Sequence, residues 1–161
     1  MIIREVDYRV ATLFLQKWHY SPIIPKLTKH WLGCYVDDEL VGVLSLGWGT
    51  RPKHTIQVLF PELTSADYFE IGKMAMTDDM PKNSESQMLS LVIKWIRQHL
   101  RIKYLFTWAD GIVGKVGYVY QSANFLYGGF SETDLYVTEN GEKVHPRTCL
   151  LYTSDAADDK Q

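Results

Sequence analysis

Apolar and polar positions alternate along this chain with two periods, and the switches between them mark the elements. Residues 2–5 read as a first strand. Over residues 7–18 the apolar positions Val10, Leu13, Phe14 and Trp18 recur at three- and four-residue spacing, which predicts a helix burying that face. Asp7 stands where an N-cap belongs. Ser21-Pro22-Ile23-Ile24-Pro25 then stops the helix, since proline cannot continue it and disfavours helix in the residue before it.

Residues 31–36 and 40–46 are rich in apolar and β-branched side chains, with Asp37-Asp38-Glu39 between them, which predicts a hairpin. A loop punctuated by Gly47, Gly49, Pro52 and Pro61 follows, then a central, mostly buried strand over 68–76. The clearest helix spans 84–100, with Met88, Leu91, Val92, Trp95, Ile96 and His99 at helical spacing and Ser84 and Gln87 spaced as a capping box. A short strand at 104–108, a second short helix at 116–124 and a late strand at 130–137 complete the pattern. Asn140-Gly141 is a tight-turn signal after which a partner strand is expected. Strands alternating with helices predict an α/β fold, a mixed central sheet with flanking helices.

The length of 161 residues fits one domain able to bury a core without staples. No segment approaches the roughly 18 apolar residues of a membrane span, and the N-terminus lacks a signal-peptide pattern, so a cytoplasmic protein is expected. The segment Cys149-Leu150-Leu151-Tyr152-Thr153-Ser154-Asp155-Ala156-Ala157-Asp158-Asp159 resembles translated read-through of a sequencing-library adapter. We therefore expect a domain over 1–148, truncated at its C-terminal strand, and a non-native tail over 149–161. Removing Asp155, Asp158, Asp159 and Lys160 takes the 17 basic and 19 acidic residues to 16 of each, so the expected domain is neutral. A neutral balance is not the footprint of a uniformly basic nucleic-acid binder, though a local patch can suffice. Cys34 is then the single native cysteine, which excludes an internal disulfide.

The stretch with most chemical promise begins at Asp110, where a strand gives way to Gly111, Gly114 and Gly117. Ligands of open α/β sheets bind at strand carboxyl ends, and a carboxylate there can ligate a metal or accept a proton. The same Asp could cap a turn. Tyr120 carries a hydroxyl able to protonate a leaving group, or is a packed aromatic; Asn124, four residues on, shares its helix face, and could orient a substrate amide or end the helix.

The runs from Asp110 through Tyr120-Gln121-Ser122-Ala123-Asn124 to Tyr127-Gly128-Gly129, with Pro81-Lys82-Asn83-Ser84-Glu85-Ser86, His19-Tyr20 and His145-Pro146-Arg147-Thr148, resemble the Mom family of phage DNA-modification proteins. The resemblance implies a GNAT-like acyltransferase fold. It further implies a transferase that converts adenine in phage DNA to its carbamoylmethyl form and so shields that DNA from restriction. By the same resemblance His19, Tyr20 and Asp110 are the expected iron-binding and catalytic positions, a donor set acceptable to iron. Tyr120 and Lys73 join them as catalytic candidates. Asn83, Ser84, Ser86, Asn124 and Glu70 are the expected substrate- and cofactor-binding residues, and an acyl-CoA-type donor is the expected cosubstrate.

Two departures matter. The family most often has arginine where this chain has Lys73, which keeps the charge and loses the fork. No glycine occurs between Thr77 and Gln87, although ordinary GNAT enzymes bring a glycine-rich loop to the coenzyme pyrophosphate there, and Glu85 would repel an anion. Glu70 and Lys73 differ by three, so they share a strand face only if a bulge intervenes, with Gly72 the place for it.

Double-stranded DNA is the expected partner. The loops Pro25-Lys26-Leu27-Thr28-Lys29-His30 and Arg51-Pro52-Lys53-His54 offer phosphate contacts, and Trp18, Tyr20, Trp31 and Trp48 are candidates to stack on an extruded base. An ordinary GNAT N-acetyltransferase acting on a small amine or protein, and a non-catalytic phage DNA-binding protein, are the alternatives.

Overall fold

The computed structural model describes residues 1–19, 21, 24–109, 117–126, 128, 136–137, 139–140 and 143–144. Two compact units result, one comprising Met1–Trp108 with Gly117–Tyr127 and the other Ala109–Val116 with Gly128–Gln161. Tyr20, Asp110 and the expected non-native tail lie outside the described residues.

The first unit holds a five-stranded sheet in the order β1-β2-β3-β4-β5: β1 Ile2–Glu5, β2 Thr28–Val36, β3 Glu39–Gly47, β4 Tyr68–Met76 and β5 Tyr104–Phe106. The first three pairings are antiparallel and β4 with β5 is parallel, so the sheet is mixed as expected. The β2–β3 turn is two residues long, and both Asp37 and Asp38 have positive φ (50° and 63°). That is the mirror-image turn whose twist suits a hairpin, and aspartate tolerates the left-handed region.

Helix α1, Tyr8–Trp18, covers one sheet face and α3, Ser84–His99, the other. Short α2 (Ile56–Leu59) follows a 3-10 turn at Pro52–His54, both within the expected loop, and α4 is Tyr118–Ser122. Under α3, Leu32, Leu44, Leu46, Phe69, Ile71, Met88, Leu89, Val92 and Ile96 form the larger core.

Under α1 the buried face differs from expectation. Ala11, Thr12 and Leu15 are buried, while Val10 and Leu13 are 45% and 67% exposed. Ala11, Phe14, Leu15 and Trp18 form the packed stripe, and the small Ala11 lets the helix approach Val43 and Ala75 closely. Bulk alone misdirects here, because the closest helix-to-sheet contact selects a small side chain. At the start of α3 the capping box does not form. Asn83, at φ 70°, is the N-cap without a side-chain bond, and the Ser84 hydroxyl donates to the Pro81 carbonyl at 2.6 Å.

In the second unit β6 (Tyr136–Val137) pairs antiparallel with β7 (Lys143–Val144). The partner expected after Asn140-Gly141 is thus present over two residues.

Candidate functional site

The central strand is irregular where the chemistry collects. Leu44 pairs Met74 and Leu46 pairs Ile71, so two steps along β3 oppose three along β4. The extra residue lies at Gly72-Lys73, a β-bulge of the kind the Glu70–Lys73 spacing required. Phe69 and Ile71 face α3, so Glu70 between them faces α1, and Ala75 beyond the bulge packs there too. Lys73 also turns to the α1 side. Both charged residues are buried, 7% and 5% exposed.

Lys73 Nζ donates to the Ser21 carbonyl at 2.6 Å and lies 3.3 Å from His19 Nδ1. The Ser21 amide donates to the same Nδ1 at 3.0 Å. The same Nδ1 lies 3.2 Å from the Ser21 carbonyl, so Ser21 offers the ring both a donor and an acceptor. The helix end makes this possible: His19 caps α1, its own amide bonded to the Leu15 carbonyl, and the chain turns back at once. Beneath Lys73 the Ser45 hydroxyl accepts the Lys73 amide at 2.8 Å, which satisfies the backbone the bulge would orphan. Glu70 lies under the following loop, and a Cβ at Gly49 would overlap its carboxylate.

Of the three positions implied for iron, His19 alone is described. Its Nδ1 contacts the Ser21 backbone and lies 3.3 Å from Lys73 Nζ. Among the described residues no three His, Cys, Asp or Glu side chains gather as a metal-holding group.

On the α3 side β4 pairs β5 only as far as Glu70 with Phe106, although β4 continues to Met76. Near this opening the buried hydroxyls of Thr77 and Thr107, just past the ends of β4 and β5, have no hydrogen-bond partner. A cavity of about 460 Å³ lies at the start of α3, lined by Thr77, Asn83, Ser84, Ser86, Tyr118 and Ser122 among others. It brings Asn83, Ser84 and Ser86 together as expected. However, Ser84 is bonded to Pro81, and Ser86 exchanges a 2.6 Å hydroxyl contact with Ser122. Asp78, Lys82 and Glu85 also line it, one cation against two anions, with no glycine among the lining residues. Such a wall is poorly suited to a pyrophosphate.

Tyr120 packs against the larger core from α4. Burial pushes its phenol above the ordinary tyrosine range, and the Glu85 charge adds to that. The Thr107 hydroxyl acts in the opposite direction, close enough to influence the phenol though short of good hydrogen-bond geometry. Tyr120 therefore keeps its proton at neutral pH and can only donate one. Asn124 does not share its helix face. The helix ends at Ser122, and Asn124 lies beyond it, exposed, at φ 66° with its amide bonded to the Gln121 carbonyl.

Of the aromatic candidates, Tyr20 lies outside the described residues and the three tryptophans are engaged elsewhere. Trp18 and Trp31 pack around the α1 core, and Trp48 lies on Phe69 with its indole N–H bonded to the Ser65 carbonyl at 2.9 Å. Ser45 escaped the sequence reading, although a lone hydroxyl inside the apolar run 40–46 is a visible signal. Ser21, Gly49 and Ser122 left none, since their roles depend on which residues the fold brings alongside.

The model of the Mom protein family matches residues 1–161. The chain belongs to the Mom protein family. It is 34% identical over 147 residues to the methylcarbamoylase Mom of Escherichia phage Mu, a match spanning 91% of this chain and 60% of that protein. The chain thus spans under two thirds of that relative's length. An aminoglycoside acetyltransferase solved with coenzyme A and kanamycin is similar in structure, with a TM-score of 0.51 and 12% identity over 94% of this chain and 98% of that one. That likeness establishes the GNAT-type fold of this Mom family chain and nothing of its substrate.

Proposed function

We propose that this chain is a phage DNA-modifying transferase that places a carbamoylmethyl group on the exocyclic amine of adenine in double-stranded DNA, protecting phage DNA from restriction in the host cytoplasm. The observation that carries the reading is the 34% identity to a methylcarbamoylase across 91% of the chain. The buried Lys73, held against half-buried His19 and Ser21, supports it, because an ionisable group is kept in a core at a cost that a site repays.

In this reading the adenine amine forms the new N–C bond and loses a proton, and the donor's leaving group departs with the bonding electron pair. Tyr120, protonated at neutral pH, is the group suited to give that leaving group a proton. His19 and Lys73, held beside each other on the α1 side of the sheet, are the groups suited to the acceptor side. The group joins the amine through its methylene carbon, so the donor carries its leaving group on that carbon, and the mixed charges and missing glycines around Asn83, Ser84 and Ser86 disfavour a coenzyme A pyrophosphate.

No helix among the described residues is long and apolar enough to cross a membrane. Nucleoside mass spectrometry of host DNA from cells expressing the chain tests the proposal. Deoxyadenosine carrying the carbamoylmethyl increment is expected; unmodified adenine from well-folded protein overturns it.

A further inference from the structure

Charge is distributed very unevenly along the chain. Residues 8–36 and 40–61 contain no Asp or Glu, yet they hold Arg9, Lys17, Lys26, Lys29, Arg51 and Lys53. Of the 17 basic and 19 acidic residues, 6 basic and none of the acidic fall there; the remaining 11 basic and 19 acidic give the rest a net charge of −8.

The fold concentrates this asymmetry. Thr28 pairs Gly47 at the open end of the β2–β3 hairpin, and the Trp48 amide donates to the Leu27 carbonyl at 2.9 Å. The two basic loops, distant in sequence, therefore run side by side. The pairing shifts between Thr28 and His30, two steps on β2 against one on β3, so Lys29 occupies a bulge. Arg51 sits at φ 51° before the 3-10 turn that carries Lys53 and His54. Lys26, Lys29, Arg51, Lys53 and His54 are all exposed.

These same loops wall the buried charges. Pro25 sits against Gly72, its Cγ 3.1 Å from where a Cβ would stand, and Gly49 sits on the Glu70 carboxylate. The basic rim and the Glu70–Lys73 floor are thus two levels of one site.

We infer that the paired loops, residues 25–29 and 48–54, form the surface that takes the phosphates of duplex DNA and set the strand over the Glu70–Lys73 floor. This rests on the proposed DNA substrate. Exposed lysines and an arginine on two adjoining loops that themselves carry no acidic residue suit a polyanion read by charge, with no sequence information demanded of them.

The test is fluorescence anisotropy of the full chain with a labelled duplex of mixed sequence, titrated over a range of salt. A rim variant, Lys26→Ala with Lys29→Ala, Arg51→Ala and Lys53→Ala, is compared with a control that removes as many exposed cations elsewhere, Lys82→Ala with Lys94→Ala, Arg97→Ala and Arg101→Ala. The rim variant should lose on the order of tenfold or more in affinity. Its log–log salt slope should fall by about 0.9 for each contact removed. The control should keep most of the intact protein's slope. Equal losses in both variants, or no duplex binding by the intact protein, overturn the inference. Rim-dependent binding without modified deoxyadenosine leaves the inference standing and removes the proposed reaction. Modified deoxyadenosine made as well by the rim variant does the reverse.

Discussion

The ammonium of Lys73 stands 3.3 Å from Nδ1 of His19, and both groups close on Ser21, whose amide donates to the ring and whose carbonyl accepts the lysine. This arrangement ties the end of α1 to the central strand. Nitrogen-15 NMR of the imidazole together with thermal unfolding tests it. Lys73→Met should leave the Ser21 carbonyl short of its strongest donor, costing about 1–3 kcal/mol of stability, and should broaden or shift the His19 signals. Unchanged stability and unchanged His19 signals in Lys73→Met would contradict the contact.

Gly49 and Glu70 give a second test. At φ 71° an alanine would be strained by about 1–2 kcal/mol, and its Cβ would also overlap the Glu70 carboxylate. Gly49→Ala should therefore be markedly destabilising in the intact chain and less so where Glu70→Ala has cleared the space. Thermal unfolding of the two single variants and the double variant measures this coupling. Additive losses would mean that the loop does not rest on the carboxylate.

Tyr120 provides the pH dependence. Burial and then Glu85 raise its folded-state value, opposed by Thr107. The protonated form is the one the fold favours, so the resulting stability is fully present below the unfolded value of about 10 and is lost as pH rises through the folded value. Absorbance near 295 nm should show a late-titrating tyrosinate that Tyr120→Phe removes and Glu85→Gln moves to lower pH. Tyr120→Phe should also slow DNA modification by on the order of 10²-fold as a lost proton donor. A Tyr120 that titrates at or below the ordinary value refutes this role.

Much of this was legible in the residues, for identifiable reasons. β4, Tyr68–Met76, falls on the predicted bounds because Tyr68, Phe69, Ile71, Met74, Ala75 and Met76 make the run mostly apolar and it ends cleanly at Thr77-Asp78. The bulge could be anticipated because two charged residues three apart beside a glycine leave few other ways to share a face. The α1 stripe was misread because apolar bulk was weighted above closeness of approach, which Ala11 and Ala75 supply. Asn124 was placed on the helix because sequence spacing does not reveal that α4 stops at Ser122 and that Asn124 enters the left-handed region. The adjacency of the two basic loops depends on hairpin register, which no local pattern encodes.

The start of α3 separates sequence pattern from structure most directly. A capping box would make Ser84 and Gln87 partners, each satisfying the other's backbone amide, and removing either would cost comparable stability. In the fold Ser84 is instead the first helical residue, 4% exposed, with its hydroxyl donating backward to Pro81. Gln87 is exposed and contributes only its amide to the Asn83 carbonyl. Ser84→Ala should therefore cost about 1 kcal/mol, the value of the one side-chain hydrogen bond it loses. Gln87→Ala should fall within about 0.5 kcal/mol of no change. Chemical denaturation of both variants decides between the two arrangements, and matched losses would restore the capping box.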